Sequence, residues 1–333
     1  MATARGRIVN GLVACVALLA GLAAITGCGD GRPAGATPAP PSIPGGPAAP
    51  TAEASASAAP LRVVAINTPL ACFAARIGGN AVVVTMPVPE GQDPAFWSPD
   101  AKEVTAMQAA DLIVLNAAGH EPWLARTSLP ERKLVPTAER FKSDWIESAD
   151  GVTHSHGLSG QHTHKGTAFT TWIDPSLAEE QAIAIFEALA KARPDQRAAF
   201  EANLAKLKTD LADLDRTLEG AIHGQQSLPI VVSHPVYDYL LRRFALNATV
   251  VHWEPSELPS DAEWTAFEAM LAEHPARWMV WEDQPTQAVR DRLRALGVEV
   301  VVFNPGGNLG PGDPARWLEL QRANAAELAR VYQ

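Results

Sequence analysis

From Leu61 onward, short runs of β-branched residues alternate with helical patterns, and that alternation predicts parallel α/β construction. The runs Arg62–Ile66, Val82–Thr85 and Asp111–Leu115 read as strands, with a weaker fourth at Leu134–Pro136. A second set follows at Ile230–Ser233, Thr249–His252, Trp278–Trp281 and Val298–Phe303. Between the sets, Leu177, Ala178, Gln181, Ala182, Ile185, Phe186 and Leu189 trace one face of a helix. Pro194 then stands where a new helix begins, a position that tolerates proline. Beyond it Phe200, Leu204, Leu207, Leu211, Leu214, Leu218 and Ile222 recur at intervals of three and four. That stripe predicts about six turns of helix packed into a core. The predicted class is therefore α/β: two lobes, each a roughly four-stranded parallel sheet with flanking helices, joined by a long spine helix.

The first sixty residues follow another pattern. Arg5 and Arg7 precede an apolar run from Gly11 to Ile25, then small residues before Cys28, which fits an export signal over residues 1–27. Ile25-Thr26-Gly27-Cys28 resembles the bacterial lipobox, which implies lipidation of Cys28 and an extracytoplasmic, membrane-anchored body. Residues 29–60 hold eight of the 27 prolines and a single large aliphatic residue, Ile43, too little to bury for a fold. Residues 28–60 thus read as a tether. The expected division is a first lobe over 61–170, a linking helical spine over 171–226 and a second lobe over 227–333.

Charge and motifs narrow the function. With 27 Lys and Arg against 37 Asp and Glu, and no basic run, the chain is a poor nucleic-acid binder. Walker-type loops, a G-x-S-x-G elbow and an H-E-x-x-H helix are missing from the sequence, so no enzyme is indicated. Removal of the signal and lipidation of Cys28 would leave Cys72 alone in an apolar stretch, as a buried inert thiol.

Several segments carry a family resemblance over nearly all of residues 61–333. They are Asn67-Thr68-Pro69-Leu70, Pro87 to Pro94 (PVPEGQDP), Asn116 to Leu124 (NAAGHEPWL), Trp172-Ile173-Asp174-Pro175 and Ser233 to Leu240 (SHPVYDYL). In order and spacing they resemble the metal-binding components of zinc and manganese ABC importers. That resemblance implies a rigid spine, a monomer that delivers zinc to a permease in the membrane, and manganese or another divalent transition metal as the alternative cargo. It also implies four ligand positions, which fall here on Ala95, Thr170, His234 and Asn304. Only His234 is a usual zinc donor, so the inherited site is not expected to work in its usual form.

Other histidines offer replacements. His120 lies in the loop after a predicted strand and His252 ends one, and with His234 they could form a three-nitrogen site, with Glu254 or Glu282 as a fourth ligand. His154, His156, His162 and His164 form two His-x-His pairs in a Gly/Ser-containing segment that reads as a flexible metal-capturing loop. Because ligation needs neutral imidazole, affinity is expected to fall below about pH 6. Trp97, Trp123, Trp172, Trp253 and Trp281 lie near predicted cleft loops, chiefly as packing residues. Two rival functions remain open: a tethered metallochaperone or sensor, and an importer component for an organic or chelated ligand.

Overall fold

The computed structural model describes residues 59–155, 161–254, 257–310, 313 and 315–333, with backbone alone over 148–155 and 161–165. The export signal, Cys28, the tether up to residue 58 and His156 lie outside the described residues.

The first lobe runs β1 (Leu61–Ala65), α1 (Thr68–Gly78), β2 (Val82–Thr85), α2 (Ala101–Ala109), β3 (Leu112–Leu115) and β4 (Leu134–Pro136). Its strands are all parallel, in the order β2-β1-β3-β4. Asn67 caps α1 by accepting from the Leu70 amide at 3.0 Å, and Asp100 closes a reciprocal capping box with Glu103 on α2. β1 buries both faces. Val63 and Ala65 join one apolar cluster, whereas Val64 and Ile66 join another with Trp97, Ile113 and Trp123.

The second lobe begins after two long helices, α3 (Pro175–Ala192) and α4 (Arg197–Ile222). It contains β7 (Ile230–Val232), α5 (Asp238–Phe244), β8 (Ala248–Val250), α6 (Asp261–Glu273), β9 (Trp278–Trp281), α7 (Gln287–Ala295), β10 (Glu299–Val302) and α8 (Arg316–Ala329). The parallel order β10-β9-β7-β8 repeats that of the first lobe. In both, the chain leaves a central strand for one side and then crosses to the other. A topological switch point follows between β1 and β3, and another between β7 and β9. Ligand crevices form at such points, outside the carboxyl ends of the strands.

The eight expected strands are all present, most within a residue of the expected limits. β8 differs by ending at Val250, which leaves His252 two residues beyond the strand and exposed. Of the segment 154–164, expected as a flexible loop, the described residues 154–155 and 161–164 belong to an antiparallel ribbon of β5 (Glu147–Ser155) and β6 (Gln161–Thr167). His154 lies opposite His162, and Val152 opposite His164. The β-branched Val152, Thr153, Thr163 and Thr167 favour extended backbone, a signal that the Gly and Ser residues between them obscured.

At 1.5 Å per residue, the 26 residues of α4 span roughly 39 Å. All seven members of the apolar stripe, Phe200 to Ile222, are buried. They belong to one continuous core with β1, α1, α3, β7 and α8. Phe73 of α1 meets Trp317 of α8 edge-on at 5.2 Å, so the C-terminal helix packs directly on the first lobe. Asp210 of α4 adds ion pairs to Arg76 of α1 and Arg322 of α8. Buried Cys72 sits in the same core, and burial pushes its thiol up to about 12.

Because this core is shared, the lobes should unfold together. Leu207→Ala removes a fully buried side chain and should cost about 2–5 kcal/mol. Urea unfolding followed by far-UV circular dichroism and by tryptophan fluorescence should shift as a single transition. Two separated transitions would contradict the shared core.

Candidate functional site

A cavity of about 280 Å³ opens where the carboxyl-terminal loops of the two sheets meet. His120 reaches it from the loop after β3, and Glu282 and Asp283 reach it from the end of β9. Asp93 comes from the loop after β2, and Phe169 and Trp172 from the entrance to the spine. Three carboxylates and no Lys or Arg line it, so its field favours a cation.

The β3 loop is built around buried Glu121. Ala117, Ala118 and Gly119 take left-handed conformations with φ of 69°, 53° and 83°. For the two alanines this costs roughly 1–2 kcal/mol each. The Glu121 carboxylate offsets that strain by accepting from the amides of Asn116 at 2.7 Å and Ala117 at 2.9 Å. Its Oε1 also lies 3.0 Å from Nδ1 of His120. Asn116, fully buried, ties the loop to the spine: its amide donates to the Phe169 carbonyl, and its Oδ1 accepts from Gln181 of α3.

The His120 ring is only 1% exposed and is held edge-on between Phe169 and Trp172, at 5.3 and 5.6 Å. In the tautomer that donates from Nδ1 to the Glu121 carboxylate, Nε2 is the nitrogen that carries the lone pair. A histidine oriented by a carboxylate behind it is the usual second partner of a metal-ligating imidazole.

Two of the four positions that the family resemblance marked as ligands line this space. Thr170 and Asn304 line the cavity, and Ala95 is buried beside Asp93, whose Oδ1 accepts from the Ala95 amide at 2.8 Å. Asn304 serves as a turn former, its Oδ1 accepting from the Gly306 amide at 2.7 Å. The loop it begins straps the second lobe to the first. The Pro305 carbonyl accepts from Trp172, Trp317 and Gln321 at 3.0, 3.3 and 3.1 Å. Asn308 donates to the carbonyls of Pro89 and Gln92, both at 2.7 Å.

His234 is buried between two acids, with Nε2 3.5 Å from Glu254 and Nδ1 3.4 Å from Glu282. Through Glu282 it meets the cavity. Burial alone would depress its pKa, but the two carboxylates overcome that and raise it to about 9. Burial also pushes Asp238 up to about 6, with His234 pulling against it. At neutral pH His234 is thus a cation, and a proton competes with any metal there below about pH 9, well above the pH 6 expected from an unperturbed imidazole.

His252 is exposed and is not among the residues that line the cavity. Among the described residues, no three His, Cys, Asp or Glu are gathered so as to hold a metal ion, so the three-nitrogen arrangement of His120, His234 and His252 is not preassembled. His154, His162 and His164 are placed by backbone register alone. Trp97 packs against Trp123, and Trp253 and Trp281 lie in a second-lobe cluster; only Trp172 of the five expected tryptophans lines the cavity. Sequence reasoning passed over Asp93 and Asp283. The signal for Asp283 was its place after Glu282 at a strand end, and for Asp93 its place two residues before the family position.

Residues 63–331 match the family described as "Zinc-uptake complex component A periplasmic". The high-affinity zinc uptake system protein ZnuA of Bacillus subtilis is 24% identical over 259 residues, covering 73% of this chain and 78% of that one. A metal ABC transporter substrate-binding lipoprotein of Streptococcus sanguinis, SsaB, is 26% identical over 208 residues, 60% of this chain and 64% of that one. The crystal structure of the Zn(II)-bound ZnuA-like domain of Streptococcus pneumoniae AdcA shares the fold with a TM-score of 0.68 at 20% identity, over 82% of this chain and all of that one.

The two acids around His234 give a measurable consequence. An imidazole raised from about 6.5 unfolded to about 9 folded adds stability that is fully present below pH 6.5 and lost as pH rises through 9. The loss should be on the order of 3 kcal/mol. An NMR titration should place the His234 midpoint near 9, and Glu254→Gln should lower it by a unit or more. A wild-type midpoint near 6.5 would show that the carboxylates do not hold the charge.

Proposed function

Because the chain belongs to the family of periplasmic zinc-uptake components, we propose that it is the extracytoplasmic metal-binding component of an ABC importer, with zinc as its cargo. The observation that carries this reading is His120: a buried imidazole fixed by Glu121 at the mouth of an acidic cavity between two lobes. Its Nε2 supplies the nitrogen donor, and Asp93, Glu282 and Asp283 supply negative charge around the ion. His234 joins the coordination only after giving up its proton, so metal capture through it releases one proton.

The other partners follow from this role. His154, His156, His162 and His164 make the first, weaker contact with metal, and the cleft holds it. A membrane permease receives the cargo by reading how the lobes sit around it. Lipid on Cys28 keeps the protein at the membrane where that permease lies. Transport of this kind involves no chemical step.

Zinc titration calorimetry on the full-length protein tests the reading. His120→Ala should weaken the tightest zinc site at least tenfold. Deleting residues 154–164 should lower the number of weaker sites and leave the tightest one in place. If the tightest site instead disappears with the ribbon and survives His120→Ala, the cleft is not the metal site. The anchor is tested separately, since Cys28→Ala should move the protein from the membrane fraction to the soluble one.

A further inference from the structure

We propose that the cleft takes its metal as a cationic chelate, a divalent transition ion already held by one amino-acid-type ligand through nitrogen and oxygen, with Nε2 of His120 completing the coordination sphere. This rests on the metal-import reading above and specifies the form in which the cargo arrives.

The donor count is the first argument. Ala95 offers no donor, Thr170 only a neutral hydroxyl, and the Oδ1 of Asn304 is engaged by the Gly306 amide. Both ring nitrogens of His234 face carboxylates, at 3.5 and 3.4 Å. No three candidate ligands are gathered among the described residues. His120, with Nδ1 committed to Glu121, contributes one nitrogen. Transition ions take four to six donors, so a site this poor in protein donors leaves several for the cargo to bring.

Space and lining are independent of that count. A volume of 280 Å³ equals roughly nine water molecules at about 30 Å³ each, far more than a bare ion fills and enough for an ion with one amino acid around it. Phe169 and Trp172 present apolar faces suited to the carbon skeleton of such a ligand. Gln92 borders the same space, with a side-chain amide suited to its remaining polar atoms. Asp93, Glu282 and Asp283, in a lining that includes no Lys or Arg, favour a complex that keeps net positive charge, as a divalent ion with one singly charged amino acid does.

Equilibrium dialysis of the full-length protein against zinc alone, radiolabelled histidine alone, and zinc with one equivalent of labelled histidine tests this. Histidine is the tridentate member of the ligand class. Labelled histidine should be retained only together with zinc, at one per protein, and the complex should bind at least tenfold tighter than zinc alone. Phe169→Ala should weaken the complex at least fivefold more than it weakens zinc alone. Asp283→Asn, a milder change to the lining, should weaken the complex at least threefold. The proposal is overturned if histidine is released as zinc binds, if it changes zinc affinity by less than twofold, or if it binds equally well without metal. In the first two cases the import reading stands, with free zinc as cargo. Failure of both zinc and the complex to bind would instead remove the metal-import reading itself.

Discussion

The unbroken apolar seam of α4 is the constraint on which the rest of the molecule depends. Seven side chains at helical spacing must be covered, and the surfaces that cover them come from both lobes. One face of each sheet is therefore covered only on meeting the spine, while the other face packs into a cluster of its own lobe. Once β1 and β7 are packed on this common core, the carboxyl ends of their strands are fixed relative to each other. The cleft is what remains between those ends. The Pro305 carbonyl, with its three donors, and Asn308, with its two acceptors, then hold the second lobe's strap against the first.

Within that geometry, electrostatics selects what can enter. An acidic cavity with no Lys or Arg in its lining attracts cations, and its low-dielectric walls strengthen that preference. His234 shows the same field acting on the protein itself. Buried beside Glu254 and Glu282, it holds a proton that solvent alone would let go near neutral pH. Charge that an incoming metal ion would otherwise balance is thus partly balanced by that proton. His120 differs because Glu121 is already satisfied by two backbone amides, so the imidazole is oriented while its second nitrogen stays usable.

Backbone strain marks the same place. Ala117 and Ala118 adopt left-handed conformations that glycine would accept more readily, in the turn that delivers His120. Such strain persists only where surrounding contacts over-determine it, and here Glu121 and Asn116 do so. The β5–β6 ribbon obeys simpler rules: extended β-branched residues pair, and the register sets His154 opposite His162.

The sequence by itself determined the elements and their class. Alternating β-branched runs and a stripe at intervals of three and four are local signals, and local sterics and burial decide them. Likewise the helix start at Pro194 was legible, because a proline in the first turn acts on its own neighbours. His120 could be suspected from its place after a strand. What only the tertiary structure decided was company. That Glu254 and Glu282 enclose His234, and that Glu282 and Asp283 share a cavity with Asp93 and His120, depend on residues brought together from distant parts of the chain. Charge state and ligand geometry are properties of such neighbourhoods, fixed by distances of a few ångströms that no spacing along a chain encodes.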